Sequence, residues 1–506
     1  MQEPIFVLPS LFCSSKRPSI LNLKSLTHFL LKEKSLTRII VIAAVLRLIF
    51  VFIGGRFYYG RPDYFIQGDT SAWFQAFFNL LDFGTFTVNP NVEASKFFRP
   101  PGYSFLFGIF YLITFKNYVL AWKLLVAMQV IMDIVSVFLI ARITGAVMKN
   151  SSAEKRIFLS NFSALLYAIY PTAIVFMPLL QAETPSILFL LLGIWFAFRP
   201  RNIRNAFLSG AFAGIATLFR LQCAFSIPFI LLAFLSRDAE GNLKKMKHAL
   251  LFCFAVALTY GLWPARNYLL HDRIVFSQDI HVGGHWSDDF IAFLDFTHSV
   301  STDHTPYYWS ILKDEKVNWP AEAYLDPGDS ALLDSAVMLS RTCSNSFALW
   351  KSGEHLTKEV KQHDHPCDSA ITTIYNSLTA KQKSRNAFHY WITIPLQNLE
   401  KCFFKFTLYG NKPWIVKISG RILFIIRSLL VLCGHIVNFL AYRKNLMNRK
   451  FLLVVFGYMM TWYLFISVVH RNIEMRYLLH TDVLLLIPAA FALMVLFFNK
   501  YLKAYG

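Results

Sequence analysis

Apolar runs recur from one end of the chain to the other, separated by short polar loops. A helix needs roughly 20 predominantly apolar residues to cross a bilayer core about 30 Å thick. The first run covers residues 39–53, with Arg47 inside it, and follows a basic polar stretch that ends at Arg38. The pattern predicts further spans near 119–141, 158–177, 186–198, 206–219, 224–235 and 249–262, and, beyond a long polar segment, near 418–441, 451–469 and 483–498. Several are short and require tilt or thin packing. Between the first two spans the chain is semi-apolar over 70–81 and moderately apolar over 102–115, which predicts two helices lying along the interface. The expected fold class is an all-α polytopic membrane protein of about ten transmembrane helices, with interfacial helices in its first outer loop.

Loop charge sets the orientation. With residues 1–38 as a cytoplasmic tail, the loops 142–156, 199–204, 237–247 and 443–450 all fall inside, and each is rich in Arg and Lys. That is what the positive-inside rule requires. Residues 39–265, including the first outer loop at 56–118, then form a transmembrane module, and 413–506 a set of C-terminal helices. The segment 266–412 lies outside, is nearly balanced in charge and is too long for a simple connection. Trp286, Trp309, Trp319, Trp350 and Trp391 can anchor it as a small extracytoplasmic domain. Cys343 and Cys367 fall within it and can pair if it is outside. The apolar stretch at 5–13 is short and lacks a small-residue cleavage site, so it does not resemble a secretory signal.

Composition agrees. Hydrophobic types make up 55% and charged types 16% of the 506 residues, against about 25% charge in soluble domains. The net charge of +20 would suggest nucleic acid in a soluble protein, but its source is the tail and the inside loops, so no nucleic-acid partner is expected. The cysteines include no CxxC pair. His281 and His285 are spaced i, i+4, but Gly283 and Gly284 between them disfavour a zinc helix.

Candidate chemistry concentrates on the outer side. Gln67-Gly68-Asp69-Thr70 opens the first interfacial stretch, Leu80-Leu81-Asp82-Phe83-Gly84-Thr85-Phe86 closes it, and Phe98-Arg99-Pro100-Pro101-Gly102 opens the second. Read alone, Asp69 is an N-cap. In this order the pieces resemble the first outer loop of the GT-C superfamily, most closely the aminoarabinose transferase and protein O-mannosyltransferase group. The resemblance continues in Tyr170-Pro171 with Gln181-Ala182-Glu183, in residues 210–220, in Trp263-Pro264-Ala265-Arg266-Asn267-Tyr268, and in Glu474-Met475-Arg476-Tyr477 with Pro488. It implies that Asp69 is the catalytic acid/base, that Glu183 is a second catalytic acid, and that Arg99 helps to hold a lipid phosphate. Arg266, Asn267, Arg476 and Tyr477 are the further substrate-binding candidates. The implied partners are a polyprenyl-phosphate sugar donor, membrane lipids and an extracytoplasmic acceptor that is a lipid, a glycan or a protein. The implied location is the bacterial inner membrane, with the site on its periplasmic face. Two departures are Thr70, where the O-mannosyltransferases carry a second acid, and His480, where a Pro is common.

The physics runs parallel. An acceptor hydroxyl needs a base as it attacks, and a single displacement inverts the sugar. The leaving phosphate gains charge that fixed cations stabilise, and arginine forks match phosphate oxygens. Each arginine also has a plainer reading: Arg266 and Arg476 can end helices and reach to the interface, and Arg220 is expected to do so. Arg47 is expected to face the bundle, away from the site. No tightly bound cofactor or metal is expected; a divalent ion is possible. The competing readings are a transporter or lipid flippase, which would need repeats the chain lacks, a structural or assembly membrane protein, and a glycan polymerase or ligase, which would centre on a late loop.

Overall fold

The computed structural model describes residues 23–32, 34–66, 68–90, 93–148, 151–200, 202–236, 241–276, 288–352, 366–404, 414–444, 447–471 and 473–498. His281, His285, Trp286 and Gln67 lie outside the described residues, as does most of the N-terminal tail. The described residues form helices and turns, with no strand among them. Among the described residues, five helices are long and apolar enough to cross a membrane: Ser35–Tyr59, Tyr118–Val147, Val416–Leu440, Arg449–His470 and Met475–Phe498. Asn242–Thr259 and Leu262–His271 make a sixth if the pair, bent by 46°, counts as one span.

The sequence expectation of about ten spans differs from this count for physical reasons. The run at 158–177 is two helices, Ala153–Ala168 and Pro171–Phe176. The residue before a proline is driven to extended geometry, and Tyr170 adopts φ −69° and ψ 112° there. Glu183–Phe198 and Ile203–Phe219 have 16 and 17 residues, about 24–26 Å of helix. They pack on one another, and Ile203–Phe219 also packs on Asn242–Thr259. Gly210 allows the second crossing, because a Cβ there would stand 2.2 Å from the Phe252 carbonyl oxygen. The two stretches expected at the interface are the helices Gly68–Phe83 and Gly102–Ile113. Phe74 stacks on Phe107 between them with ring centroids 3.6 Å apart.

Side-chain caps start several helices. Asn117 accepts from the Leu120 amide and Asn202 from the Asn205 amide, which satisfies donors that a helix start leaves open. Inside the bundle two buried ion pairs join distant helices. Arg47 Nε lies 2.6 Å from Asp133 Oδ2, and the Tyr167 hydroxyl donates to Asp133 Oδ1 at 2.5 Å. The Arg47 guanidinium also donates to the carbonyls of Tyr167 and Ala168, at the end of the Ala153–Ala168 helix. Arg427 forks onto Asp482 with two contacts of 2.9 Å, and the Tyr170 hydroxyl donates to the same carboxylate at 2.7 Å.

Residues of the long polar segment build a separate aromatic core. Phe290, Phe293, Phe296, Trp319, Phe347 and Tyr375 meet there, and Cys343 is disulfide-bonded to Cys367. Asp289 is buried but accepts from the hydroxyls of Ser344 and Ser346. Of the expected aromatic anchors, Trp319 is buried, whereas Trp309 and Trp391 are exposed. Arg471 ties this segment to the bundle. It stacks 3.9 Å over Tyr390 and donates to the carbonyls of His298 and Tyr390. Its φ of 54° lies in the left-handed region, where an arginine stays only when its surroundings hold it.

Two outcomes are expected. Asp482→Asn strands the Arg427 charge and lowers stability by about 3–5 kcal/mol, whereas the double change Arg427→Met with Asp482→Leu recovers most of it; thermal unfolding in one detergent compares them. In Cys343→Ser, Cys367 becomes a free thiol. In intact cells a membrane-impermeant maleimide should label it in this variant alone, and labelling that requires permeabilised cells would place the segment inside.

Candidate functional site

The first loop is fixed at its start by backbone bonds. The Leu180 amide donates to the Phe65 carbonyl at 2.9 Å, and the Thr70 hydroxyl donates to the Leu180 carbonyl at 3.0 Å. Thr70, where a second acid is common in the resembling family, is therefore a buried strut. It sets the opening turn of the Gly68–Phe83 helix against the turn that leads into Glu183. Asp69 is in that first helical turn, and its carboxylate is directed to arginines.

Arg99 arrives from the other end of the loop. Pro100 and Pro101 stiffen the chain after it, and Gly102 lets it close on the bundle: a Cβ at Gly102 would stand 2.7 Å from the Leu218 carbonyl oxygen. The Arg99 guanidinium lies over the rings of Trp73 at 5.0 Å and Phe98 at 4.6 Å, and such stacking favours a cation. Arg476 stands in the first turn of Met475–Phe498.

These residues meet at Asp69. Arg99 Nη2 donates to Asp69 Oδ1 at 2.9 Å, and Arg476 Nη1 to Asp69 Oδ2 at 2.5 Å. The carboxylate thus bridges two arginines that are 30 and 407 residues away in sequence. Burial pushes the Asp69 carboxyl up, but Arg476, then Arg99, and more distantly Arg220, outweigh it and hold the carboxyl well below the usual carboxylate range. It is ionised throughout the physiological range. Its side chain is 32% exposed, against 14% for Arg99 and 15% for Arg476, so the bridge opens to one side.

A second layer surrounds the bridge. Glu474 Oε2 accepts from Arg476 Nε at 2.6 Å, and Gln181 Oε1 lies 3.3 Å from Arg476 Nη1. The Tyr477 hydroxyl donates to Glu474 Oε1 at 3.2 Å, and its ring lies under both Arg476 and Arg220. Glu183 is buried and pairs with Arg220 at 2.5 Å through Oε1. Its Oε2 is buried with no hydrogen-bond partner among the described residues. Three acids and three arginines share this cluster, so its formal charge is balanced.

Of the sequence candidates, Asp69, Arg99, Glu183, Arg476 and Tyr477 are brought together. Arg266 is directed to the first loop's backbone: it donates to the carbonyls of Lys96 and Phe86 and to Asn267 Oδ1. Asn267 is buried and donates to the Val275 carbonyl. Neither is a hydrogen-bond partner of Asp69, whose two oxygens go to Arg99 and Arg476. Arg220, expected to reach the interface, turns inward to Glu183. Sequence reasoning passed over Arg220, Gln181 and Glu474 as site residues, although all three lie in or beside the quoted motifs. Among the described residues no group of three His, Cys, Asp or Glu stands close enough to hold a metal ion.

No family model and no curated protein matches the sequence. Solved structures do. The archaeal oligosaccharyltransferase AglB from Archaeoglobus fulgidus, in complex with an inhibitory peptide and a dolichol-phosphate, is similar at TM-score 0.50 and 11% identity, over 93% of this chain and 51% of that one. The present chain therefore spans about half the length of that protein. ArnT from Cupriavidus metallidurans matches in its apo state at TM-score 0.35 and 13% identity, over 90% of this chain and 77% of that one. Bound to undecaprenyl phosphate it matches at TM-score 0.36 and 11% identity, over 91% and 78%. The likeness to the oligosaccharyltransferase is one of fold.

The depressed Asp69 carboxyl fixes a pH dependence. A carboxyl whose folded pKa is depressed contributes stability above its unfolded value, about 3.9, and loses it as pH falls towards the folded value. Wild type should therefore unfold at a higher temperature than Asp69→Asn at pH 7, and the gap should narrow below about pH 4. A gap that stays constant to pH 3 would mean that the two arginines do not hold the carboxylate.

Proposed function

We propose that this protein is an integral-membrane glycosyltransferase that moves a sugar from a polyprenyl-phosphate carrier to an acceptor hydroxyl, on the periplasmic face of a bacterial inner membrane. The observation that carries this reading is the carboxylate of Asp69 held between Arg99 and Arg476. One group there can take a proton, and two can receive an anionic leaving group within a hydrogen bond of it. The dolichol-phosphate seen with the oligosaccharyltransferase of the same fold supports a polyprenyl phosphate as the carrier.

The acceptor oxygen attacks the anomeric carbon from the face opposite the phosphate. Its proton passes to an Asp69 oxygen, the C–O bond to the phosphate breaks, and the bond's electron pair leaves with the polyprenyl phosphate. One displacement inverts the anomeric centre. Negative charge grows on the phosphate as the bond breaks, and two guanidiniums with restricted water access stabilise it more than bulk solvent would. They supply at the phosphate the positive charge that a divalent ion would otherwise bring, and the mechanism as proposed uses no tightly bound cofactor. Glu183 is the second candidate acid; its pairing with Arg220 makes it a holder of the arginine cluster beside Tyr477. Arg266 acts at one remove, by fixing the loop that carries Arg99.

Asp69→Asn keeps the size of the side chain and removes its basicity. Turnover should fall by about 10²–10⁴ with expression intact, the usual loss for one general base. Near-normal transfer by this variant would move the base role to Glu183. Arg99→Lys and Arg476→Lys keep charge but lose the fork, and each should raise the donor concentration needed for half-maximal rate. Two lysine variants matching wild type would remove the arginines from phosphate binding.

A further inference from the structure

Both oxygens of Asp69 are taken. Oδ1 accepts from Arg99 and Oδ2 from Arg476, each a charge-assisted bond. A carboxylate so held is a poor proton acceptor, because the two cations that stabilise its charge must be given up, in part, when it is protonated. The residue placed to act as a base is thus least basic where the structure puts it. The arginines, by contrast, are not saturated. Arg99 uses Nη2 for Asp69 and its Nη1 donates to no described residue, and Arg476 uses Nε for Glu474 and Nη1 for Asp69 and Gln181. Its Nη2 donates to no described residue. Each guanidinium therefore holds the carboxylate with one nitrogen and keeps a donor for a second anion.

We propose that Asp69 and the donor's phosphate compete for the same two guanidiniums, so that the base is capped until the carrier lipid arrives and is uncapped by it. This rests on the reading of Asp69 as the base and of Arg99 and Arg476 as phosphate ligands. The phosphate enters on the unused nitrogens and draws the arginine forks toward its own oxygens. Asp69 loses part of its stabilising field and gains basicity at the moment a sugar is in place. Binding is ordered in consequence, because an acceptor hydroxyl that reaches an empty site meets a carboxylate unable to take its proton. The carrier also works against its own affinity, since it must part the arginines from Asp69 in order to bind.

That last consequence gives the test. The probe is undecaprenyl phosphate, titrated into the purified full chain in nanodiscs, for wild type, Asp69→Asn and Glu183→Gln. A neutral amide competes weakly for a guanidinium, so Asp69→Asn should bind the lipid phosphate more tightly, on the order of tenfold. Glu183→Gln removes one charge from the same cluster but leaves the Asp69 bridge in place, and its affinity should change less than about threefold. Equal or weaker binding by Asp69→Asn overturns the proposal. So does equal tightening in both variants, which would be a field effect without competition. Should Asp69→Asn fail to fold, wild type alone decides. The acid limb of kcat reports the donor-bound enzyme and that of kcat/KM for the donor reports the free enzyme. The first should lie at higher pH, and coincident limbs would overturn the capping. The base assignment itself fails by a different sign, retained turnover in Asp69→Asn, whatever that variant's affinity.

Discussion

A charge placed where water is scarce must find an opposite charge or lose its ionisation, and this constraint organises the whole chain. Arg47 meets Asp133, Arg427 meets Asp482, and Asp69 meets Arg99 and Arg476. The first two pairs are shut inside the bundle with every side chain nearly or fully buried. The third differs in stoichiometry and position. It carries two cations for one carboxylate, is partly exposed, and lies where the first loop meets the start of a late helix. Pairs that are sealed hold helices together; one that is open to one side leaves its charges within reach of solvent. The same rule thus yields scaffold in two places and a candidate site in a third.

What the sequence made legible follows from which signals are local. Apolar run length and loop charge marked most helices, because a membrane helix must satisfy its own backbone and cover its own surface. The break at Tyr170 and Pro171 was hidden because the apolar run continues through it. Glu183–Phe198 was read as a thin span, and the helix is short and largely buried among its neighbours. At the site, Asp69, Arg99 and Arg476 were found through their order and neighbours, while Arg220 was read as an interface anchor. Nothing local distinguishes an arginine that turns outward from one that turns in to Glu183. Arg266, suggested as a ligand by its motif and its place at the outer end of a span, directs its guanidinium to the loop's carbonyls. Asp482 and Arg427 were invisible as a pair because 55 residues separate them.

Arg471 is one of the residues that bring the polar segment to the site's neighbourhood. Arg471 is three residues from Glu474 and five from Arg476, and it is clamped by Tyr390 and by the His298 carbonyl. His298 itself is half-buried; desolvation, then His304, His470 and Arg471, hold its imidazole down at about 3, so it is neutral where the segment docks. A neutral ring there avoids adding a further positive charge beside Arg471. The segment therefore bears on the strand of chain that positions Arg476 without altering the charge balance around Asp69.

The interruption between Ala168 and Pro171 has a mechanical consequence. A broken helix is ordinarily a place where a bundle can flex, since its unpaired carbonyls and loose turn resist little. Here the guanidinium of Arg47 grips the carbonyls at the end of one half, and the Tyr170 hydroxyl pins the start of the other to Asp482. Each grip is anchored in turn by a sealed ion pair on a different helix. The discontinuity is thereby converted from a hinge into a rivet that ties the two sealed pairs to one short stretch of chain.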